Sequence, residues 1–185
     1  MHGRPIHFIN NEIDYSHPYI IGVDVAGGLG KDYSAITIMD SETKVPVGYF
    51  YNNKIDTDDL GTLIYKLVSN WLPNSVVVIE RNNYGLNIIQ RLIKTSIHKN
   101  IYFEYVDDPS RQKEGDFREG NKVRLYGFQT TEGTREQMFE LLTREVTYSP
   151  ERFKIPVMIR EIGTLEYNKR GKIEHSEGAH DDLLF

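Results

Sequence analysis

Acidic residues stand at the ends of two apolar stretches and again close to the end of the chain. Asp24 lies at the end of the apolar stretch 19–25, Glu80 ends the stretch 76–80, and Asp181 and Asp182 follow much later. Carboxylates at the tips of neighbouring strands converge although they are far apart in sequence, and a divalent cation relieves their mutual repulsion. This pattern indicates metal-assisted phosphoryl chemistry.

Each of these acids also has a purely structural interpretation. A charge in an apolar strand is costly unless it is paired or bound to a metal, which favours a functional role for Asp24, but an aspartate at a strand end can also cap a turn. Asp181 and Asp182 would be stabilised at the start of a helix by its dipole. We favour Asp182 over Asp181 as the direct ligand. His180 is open to three roles, as a ligand, a proton shuttle or a helix cap, and capping is favoured.

Further polar residues are candidates for supporting the acids or touching a substrate: Lys31, Asp32, Asn82, Lys169 and Arg170. Asn82 also fits as a helix cap, and the charged residues fit as ordinary exposed turn residues. The glycine-rich stretch 27–31 does not match a phosphate-binding loop, because Val25 occupies its first glycine position and Asp32 replaces the hydroxyl that would bind magnesium. A second strand, and not a helix, is also predicted to follow it.

Hydrophobic periodicity predicts an alternation of strands and helices. Strands are predicted over 19–25, 33–39, 45–52, 75–80 and 101–106, and helices over 58–71, 85–98 and 135–146. Residues 107–124 are polar and are predicted to form a loop, and residues 1–18 are predicted to be an irregular arm or linker. Residues 153–159 and 161–173 are predicted to form a hairpin with its turn at 168–171, which places Glu161 on a strand beside a basic partner.

This order of elements is the one that the ribonuclease H-like fold uses. An antiparallel meander of three strands is followed by βαβ units, which gives a mixed α/β sheet flanked by helices, with an auxiliary β-hairpin. The chain of 185 residues is long enough for one domain with a full core, which we assign to residues 19–185. A last helix is expected to begin near Asp181, with only its first turn present, so we expect this chain to be part of a longer protein.

Composition and charge exclude several kinds of site and several classes of protein. The sequence has no cysteine, which excludes disulfides and thiolate zinc sites. No apolar run reaches membrane-spanning length, and the start lacks the apolar core of a signal peptide. The formal net charge is −5, which argues weakly against a nucleic-acid partner, but residues 109–172 carry 13 Lys and Arg against 10 Asp and Glu. This distribution fits a surface that binds phosphates beside acids that bind metal, and it equally fits ordinary solvated surface.

Four stretches together resemble the nuclease domain of bacteriophage terminase large subunits. They are IGVDVAG (21–27) with KDYSA (31–35), VIERNNYG (78–85), YGFQTT (126–131) and GAHDDL (178–183). The resemblance covers the chain from about residue 19. It implies a ribonuclease H-like endonuclease that cuts concatemeric viral double-stranded DNA during genome packaging, with its three acidic ligands at Asp24, Glu80 and the pair Asp181 and Asp182.

The same resemblance implies partners and a location. An ATPase motor domain normally precedes the nuclease in the same polypeptide, and its motifs do not occur in this sequence. The portal and the small terminase subunit are the further partners expected, and the cytoplasm of the infected bacterial host is the expected location. The family usually continues past the last Asp-Asp pair with a full apolar helix, and this sequence departs from it there.

Hydrolysis of DNA phosphodiesters with two Mg²⁺ or Mn²⁺ ions is the mechanism that we predict for these acids. Asp24 would bridge both ions, with Glu80 and Asp182 each completing one side, and ligands that are all oxygen favour these ions over zinc. A Holliday-junction resolvase and a transposase core are alternatives of the same fold. A sugar-kinase or actin-like protein has a similar first strand but needs a second ATP-binding lobe. A catalytically weak DNA-binding or docking module is the last alternative.

Overall fold

A computed structural model describes residues 6–9, 13–30, 32–107, 110, 116–120, 122–168, 171, 173–176 and 182–184 of the chain. The strands are β1 (His7–Phe8), β2 (Tyr19–Asp24), β3 (Ser34–Asp40), β4 (Pro46–Asn52), β5 (Ser75–Ile79), β6 (Phe103–Val106), β7 (Phe117–Glu119), β8 (Lys122–Tyr126), β9 (Leu165–Tyr167) and β10 (Ile173–His175). The α-helices are α1 (Thr57–Asn70), α2 (Asn83–Leu92), α3 (Glu132–Tyr148) and α4 (Pro156–Ile162). None of these helices has the length and apolar character needed to cross a membrane.

The largest sheet has the strand order β1-β4-β3-β2-β5. Strands β2, β3 and β4 form the antiparallel meander that the sequence predicts, and β5 runs parallel to β2. The continuous apolar run of β2 suits a strand between two neighbours, and its Ile21 and Val23 are buried in the core. Because parallel neighbours need a crossover, α1 connects β4 to β5, and the carboxyl ends of β2 and β5 lie next to each other.

Helices α1 and α2 share one core with the buried side of this sheet. Each helix has an amphipathic sequence whose apolar residues face that core. Asp56 caps α1 and Asn82 caps α2, each by accepting a backbone N–H of the first turn. Because the cap of α2 follows β5 almost directly, the short segment that carries Glu80 is held between a strand and a helix start.

A three-stranded antiparallel sheet of order β6-β8-β7 continues from the edge of β5. Two isolated parallel bridges make the connection, from Val77 to Ile101 and from Glu80 to Phe128. The second bridge lies at the end of β5, so the small sheet is attached next to Glu80.

Helices α3 and α4 and the turn 182–184 lie on the side of the large sheet that faces away from α1 and α2. An apolar cavity of about 470 Å³ lies between these elements and the sheet, lined by Gly22 and Thr37 of the sheet and by Met138, Met158 and Leu183. The β9–β10 hairpin follows α4. This side of the sheet is the one on which Asp24 lies, because Asp24 alternates with the buried core residue Val23.

The predicted fold class is confirmed, and so are the meander and the parallel pairing of β5 with β2. A hairpin is present as predicted, but its strands are β9 and β10, on either side of 168–171. The prediction of a strand over 153–159 was wrong. Pro156 begins α4 instead, because proline is tolerated in the first turn of a helix, where its missing N–H removes no hydrogen bond. Glu161 therefore lies on a helix and is buried, and its predicted place on a hairpin strand was also wrong.

The loop prediction for 107–124 was wrong in part, because β7 and the start of β8 fall within it. Most of the described residues in this segment are exposed, including all of β7, whereas Val123 and Leu125 of β8 are buried. The predicted irregular arm contains β1, which pairs with β4. The helix predicted from residue 85 ends early, at Leu92, and the last helix predicted near Asp181 is described as a turn over 182–184.

Candidate active site

Asp24 and Glu80 meet where β2 and β5 end. Val23 is the register partner of Ile79, and the backbone N–H of Glu80 donates to the carbonyl oxygen of Val23 at 2.9 Å. The next residues of the two parallel strands are therefore neighbours at one edge of the sheet. The carboxyl groups of Asp24 and Glu80 are hydrogen bonded to each other, so two acids far apart in sequence are in direct contact.

The electrostatics of this pair favour a bound positive charge. Burial raises the pKa of Asp24, and the hydrogen bond with Glu80 and the negative charges of Glu80 and Asp182 raise it further, to about 8. An isolated aspartate is ionised at neutral pH, whereas this pair holds a proton there. A divalent cation is the alternative way to compensate the two carboxylates, and it would displace the proton.

Asp182 reaches the same edge from the turn 182–184. Asp24, Ala35 and Tyr51 are register partners that form one row across β2, β3 and β4. The Tyr51 hydroxyl donates to Oδ2 of Asp182 at 3.4 Å, and the charge of Asp182 also acts on Asp24. Burial and the nearby charge of Asp182 raise the pKa of Tyr51, which keeps its hydroxyl protonated as a donor.

Asn82 connects the Glu80 carboxylate to the end of β2. Its Nδ2 donates to Oε2 of Glu80 at 2.8 Å and to the carbonyl oxygen of Val25 at 3.0 Å. Its Oδ1 accepts the backbone N–H of Gly85 at 2.7 Å, which starts α2. A Cβ atom at Gly85 would overlap the carbonyl oxygen of Glu80, so the turn requires glycine. Asn82 thus orients Glu80 and caps the helix with one side chain.

A buried ion pair fixes the chain directly after Glu80, and sequence reasoning missed it. The terminal nitrogens of Arg81 donate to the two carboxylate oxygens of Asp116 at 3.0 and 2.6 Å, and Nη1 also donates to the carbonyl oxygen of Tyr126 at 2.7 Å. The Arg81 and Asp116 side chains are only 3% and 2% exposed. This pair holds β7 and β8 to the end of β5, beside the acids.

A cavity of about 240 Å³ opens beside the acids. Asp24 and Glu80 form part of its wall, together with Phe128, Thr130 and Arg135. Arg135 lies near the start of α3 and brings a cation to the same cavity as the two carboxylates. Its position follows from the tertiary bridge between Phe128 and Glu80, which the sequence does not reveal, so Arg135 was not among the predicted site residues.

The other candidate residues differ in where they lie. Asp32 is exposed on the turn between β2 and β3. The predictions for Lys31, Lys169, Arg170, His180 and Asp181 fall outside the described residues. Within the described ranges, no group of three acidic or histidine side chains could hold a metal ion. Asp24 and Glu80 are therefore the pair in contact, and Asp182 acts on them through its charge from further away.

Solved structures share this fold. The magnesium-bound large terminase nuclease from thermophilic phage G20c has a TM-score of 0.61 and 15% sequence identity, and the match covers 91% of this chain and 77% of that chain. A second structure of the large terminase nuclease from phage G20c has a TM-score of 0.54 and 16% identity over the same shares. No protein-family model matches the chain, and no curated protein matches it significantly. The expected terminase-nuclease-like domain is therefore confirmed at the level of its fold: this chain folds like a large terminase nuclease.

Proposed function

We propose that this protein is a metal-dependent endodeoxyribonuclease of a viral genome-packaging terminase. The observation that carries the proposal is the contact between the Asp24 and Glu80 carboxyl groups at adjacent strand ends, with the charge of Asp182 acting on them. Like charges in contact and out of water need compensation, which a divalent cation provides. The likeness in fold to two large terminase nucleases, one of them with bound magnesium, supports the proposal.

The donor set fits Mg²⁺ or Mn²⁺. Asp24, Glu80 and Asp182 offer only carboxylate oxygens, which these ions prefer. Asp24, Glu80 and Asp182 would hold the ions, because Asp24 contacts Glu80 and the charge of Asp182 acts on it; Asp181 is the alternative to Asp182. Two such ions, when bound, activate water and stabilise the charge on the leaving oxygen.

The chain's own residues supply orientation and phosphate binding. Asn82 holds the Glu80 carboxylate, and Tyr51 donates to Asp182. Arg135, in the wall of the cavity beside Asp24, would bind a DNA phosphate, since a guanidinium is a strong and directional donor to phosphate oxygens. Contacts of Lys31, Lys169 and Arg170 with DNA remain predictions.

The biological setting of the proposed nuclease rests on the sequence motifs. The domain would follow an ATPase motor domain in the same polypeptide. It would work with the portal and the small terminase subunit and cut concatemeric DNA in the cytoplasm of the infected host.

Cleavage of supercoiled plasmid tests the proposal. Wild type, Asp24→Ala and Asp32→Ala are compared with Mn²⁺, Mg²⁺ or EDTA. We expect nicking and linearisation that require metal, vanish in Asp24→Ala and persist in Asp32→Ala, whose acid is exposed on the next turn. Undiminished cleavage by Asp24→Ala would contradict the assignment of the site. A strong preference for four-way junctions over linear duplex would favour a resolvase.

A catalytically weak DNA-binding or docking module is the second candidate function. It is favoured by the absence, within the described ranges, of three acidic or histidine side chains that could share an ion. This candidate predicts metal-independent DNA binding by a folded wild type that does not cut with any metal. The plasmid assay, combined with a gel-shift measurement in EDTA, separates the two functions.

A further inference from the structure

We infer that Glu161 is a positioning residue for the third acid of the site. Together with Thr37 and Tyr51, it holds the turn 182–184 against the sheet so that Asp182 faces Asp24. This inference rests on the proposed function, because it assigns a role to the residues around Asp182. It also replaces the expectation that Glu161 pairs with a base on a hairpin strand.

Three side chains from different elements bind the turn. Oε2 of Glu161, on α4, accepts the backbone N–H of Leu183 at 3.0 Å. Thr37, on β3, donates from its hydroxyl to the carbonyl oxygen of Leu183 at 3.0 Å. Tyr51, on β4, donates to Asp182 itself at 3.4 Å. Both polar groups of the Leu183 backbone are therefore held by side chains, as a neighbouring strand would hold them.

The burial of Glu161 needs an explanation that the fold alone does not give. A carboxylate on the buried side of a helix is costly unless it is hydrogen bonded. Two other carboxylates with buried side chains, Asp40 and Asp116, are each bonded to a cationic side chain, a histidine and an arginine. Glu161 is 5% exposed, and its Oε2 accepts a backbone N–H of the turn that carries Asp182. This hydrogen bond ties a buried side chain of α4 to the turn.

The three acids of the site differ in how they are supported. Asp24 belongs to a strand of the central sheet and Glu80 is bridged to Phe128, so the sheet fixes both. Asp182 lies on a short turn, whose position depends on the side chains that bind it. Groups that orient a metal ligand commonly contribute about 10- to 100-fold to metal affinity or activity. Glu161 is placed to contribute in this way.

Two substitutions and a control test the inference in the whole chain. Glu161→Ala removes the acceptor, Glu161→Gln keeps a side-chain oxygen that can accept the same N–H, and Ile155→Ala removes buried apolar volume just before α4. Two quantities are measured, the Mn²⁺ concentration for half-maximal plasmid cleavage and the hydrogen exchange rate of the Leu183 amide in metal-free protein.

We expect Glu161→Ala to raise the Mn²⁺ requirement by about 10-fold or more and to speed exchange at Leu183. Glu161→Gln should keep both the Mn²⁺ requirement and the exchange rate at Leu183 close to those of the wild type. Ile155→Ala should lower the temperature of unfolding and leave the Mn²⁺ requirement unchanged, because an isoleucine side chain packs but makes no hydrogen bond to the turn.

Several results would overturn the inference. One is wild-type Mn²⁺ requirement and exchange in Glu161→Ala, which would leave the nuclease proposal intact. Another is an equal loss in Glu161→Gln and Glu161→Ala, which would assign the effect to charge and not to the hydrogen bond. A wild type that fails to cut with any metal would refute the proposed function. The exchange rate at Leu183 does not depend on cleavage, so it would still show whether Glu161 holds the turn 182–184 in place.

Discussion

Replacing Asp24 with asparagine is expected to stabilise the metal-free protein at neutral pH while it abolishes cleavage. The pKa of Asp24 is about 8 in the folded chain against an ordinary value of 3.8, so the native pair with Glu80 keeps a proton that the unfolded chain releases. The stability gained from this proton is complete below pH 3.8 and is lost as the pH rises through about 8.

The size of the effect follows from proton linkage. Between about pH 5 and pH 7, each rise of one pH unit lowers the unfolding free energy of the wild type by at most about 1.4 kcal/mol relative to that of Asp24→Asn. The variant lacks this dependence because asparagine carries no proton that titrates in this range. The ceiling over this range is about 3 kcal/mol. Because Asp24 is partly exposed, we expect about 1 to 3 kcal/mol.

Urea unfolding in EDTA at several pH values measures this difference. Circular dichroism and the fluorescence of Trp71, the single tryptophan, report the transition. Glu140→Gln, which neutralises an exposed acid on α3, should follow the wild type at every pH. Added Mn²⁺ should then stabilise the wild type and not Asp24→Asn, by about 2.7 kcal/mol at an ion concentration 100 times the Kd. Parallel pH dependence for wild type and Asp24→Asn would show that the pair traps no proton, and the reasoning would be wrong.

Three further outcomes are expected. Arg81→Ala leaves Asp116 buried without its arginine and should lower the unfolding free energy by about 3 to 5 kcal/mol in urea titrations; a loss below 1 kcal/mol would mean that water reaches the site. Arg135→Ala should weaken DNA binding in EDTA and reduce the slope of log affinity against log salt concentration by about 1. Arg144, which is exposed on the same helix, provides the control, and Arg144→Ala should leave that affinity unchanged. A hydrogen bond to Asp40, the last residue of β3, raises the pKa of His17. His17→Asn should therefore lower the melting temperature below about pH 6.5 and have no such effect at alkaline pH. A loss of stability that grows with pH would contradict the assignment.

The central part of the site was predictable from sequence. Strands β2 and β5 are continuous apolar runs, and such runs indicate strands that are covered on both faces. An acid at the end of each run needed only a parallel register to meet the other, and a helix between the strands indicated that register. Asn82 was predictable as a cap because it stands between a strand and an amphipathic helix.

The residues that surround these acids were not predictable, because tertiary contacts place them. Tyr51 meets Asp182 through a register of three strands, and one residue of slippage would have turned it to the other face. Arg135 reaches the cavity through the bridge between Phe128 and Glu80. Glu161 was misread because alternating apolar residues before it suggested a strand, whereas Pro156 at a helix start was the stronger local signal.

The long separation of Asp182 from the other two acids affects how the protein is made. The sheet that carries Asp24 and Glu80 can form once β5 has been synthesised, whereas Asp182 follows roughly 100 residues later, a delay on the order of 5 to 20 seconds at typical rates of translation. During this interval the nascent chain holds two acids of the proposed site and lacks the third. Because the proposed site needs its third acid, we expect a nascent chain that has completed β5 but not residue 182 to lack the metal-dependent cleavage that we propose for the finished domain.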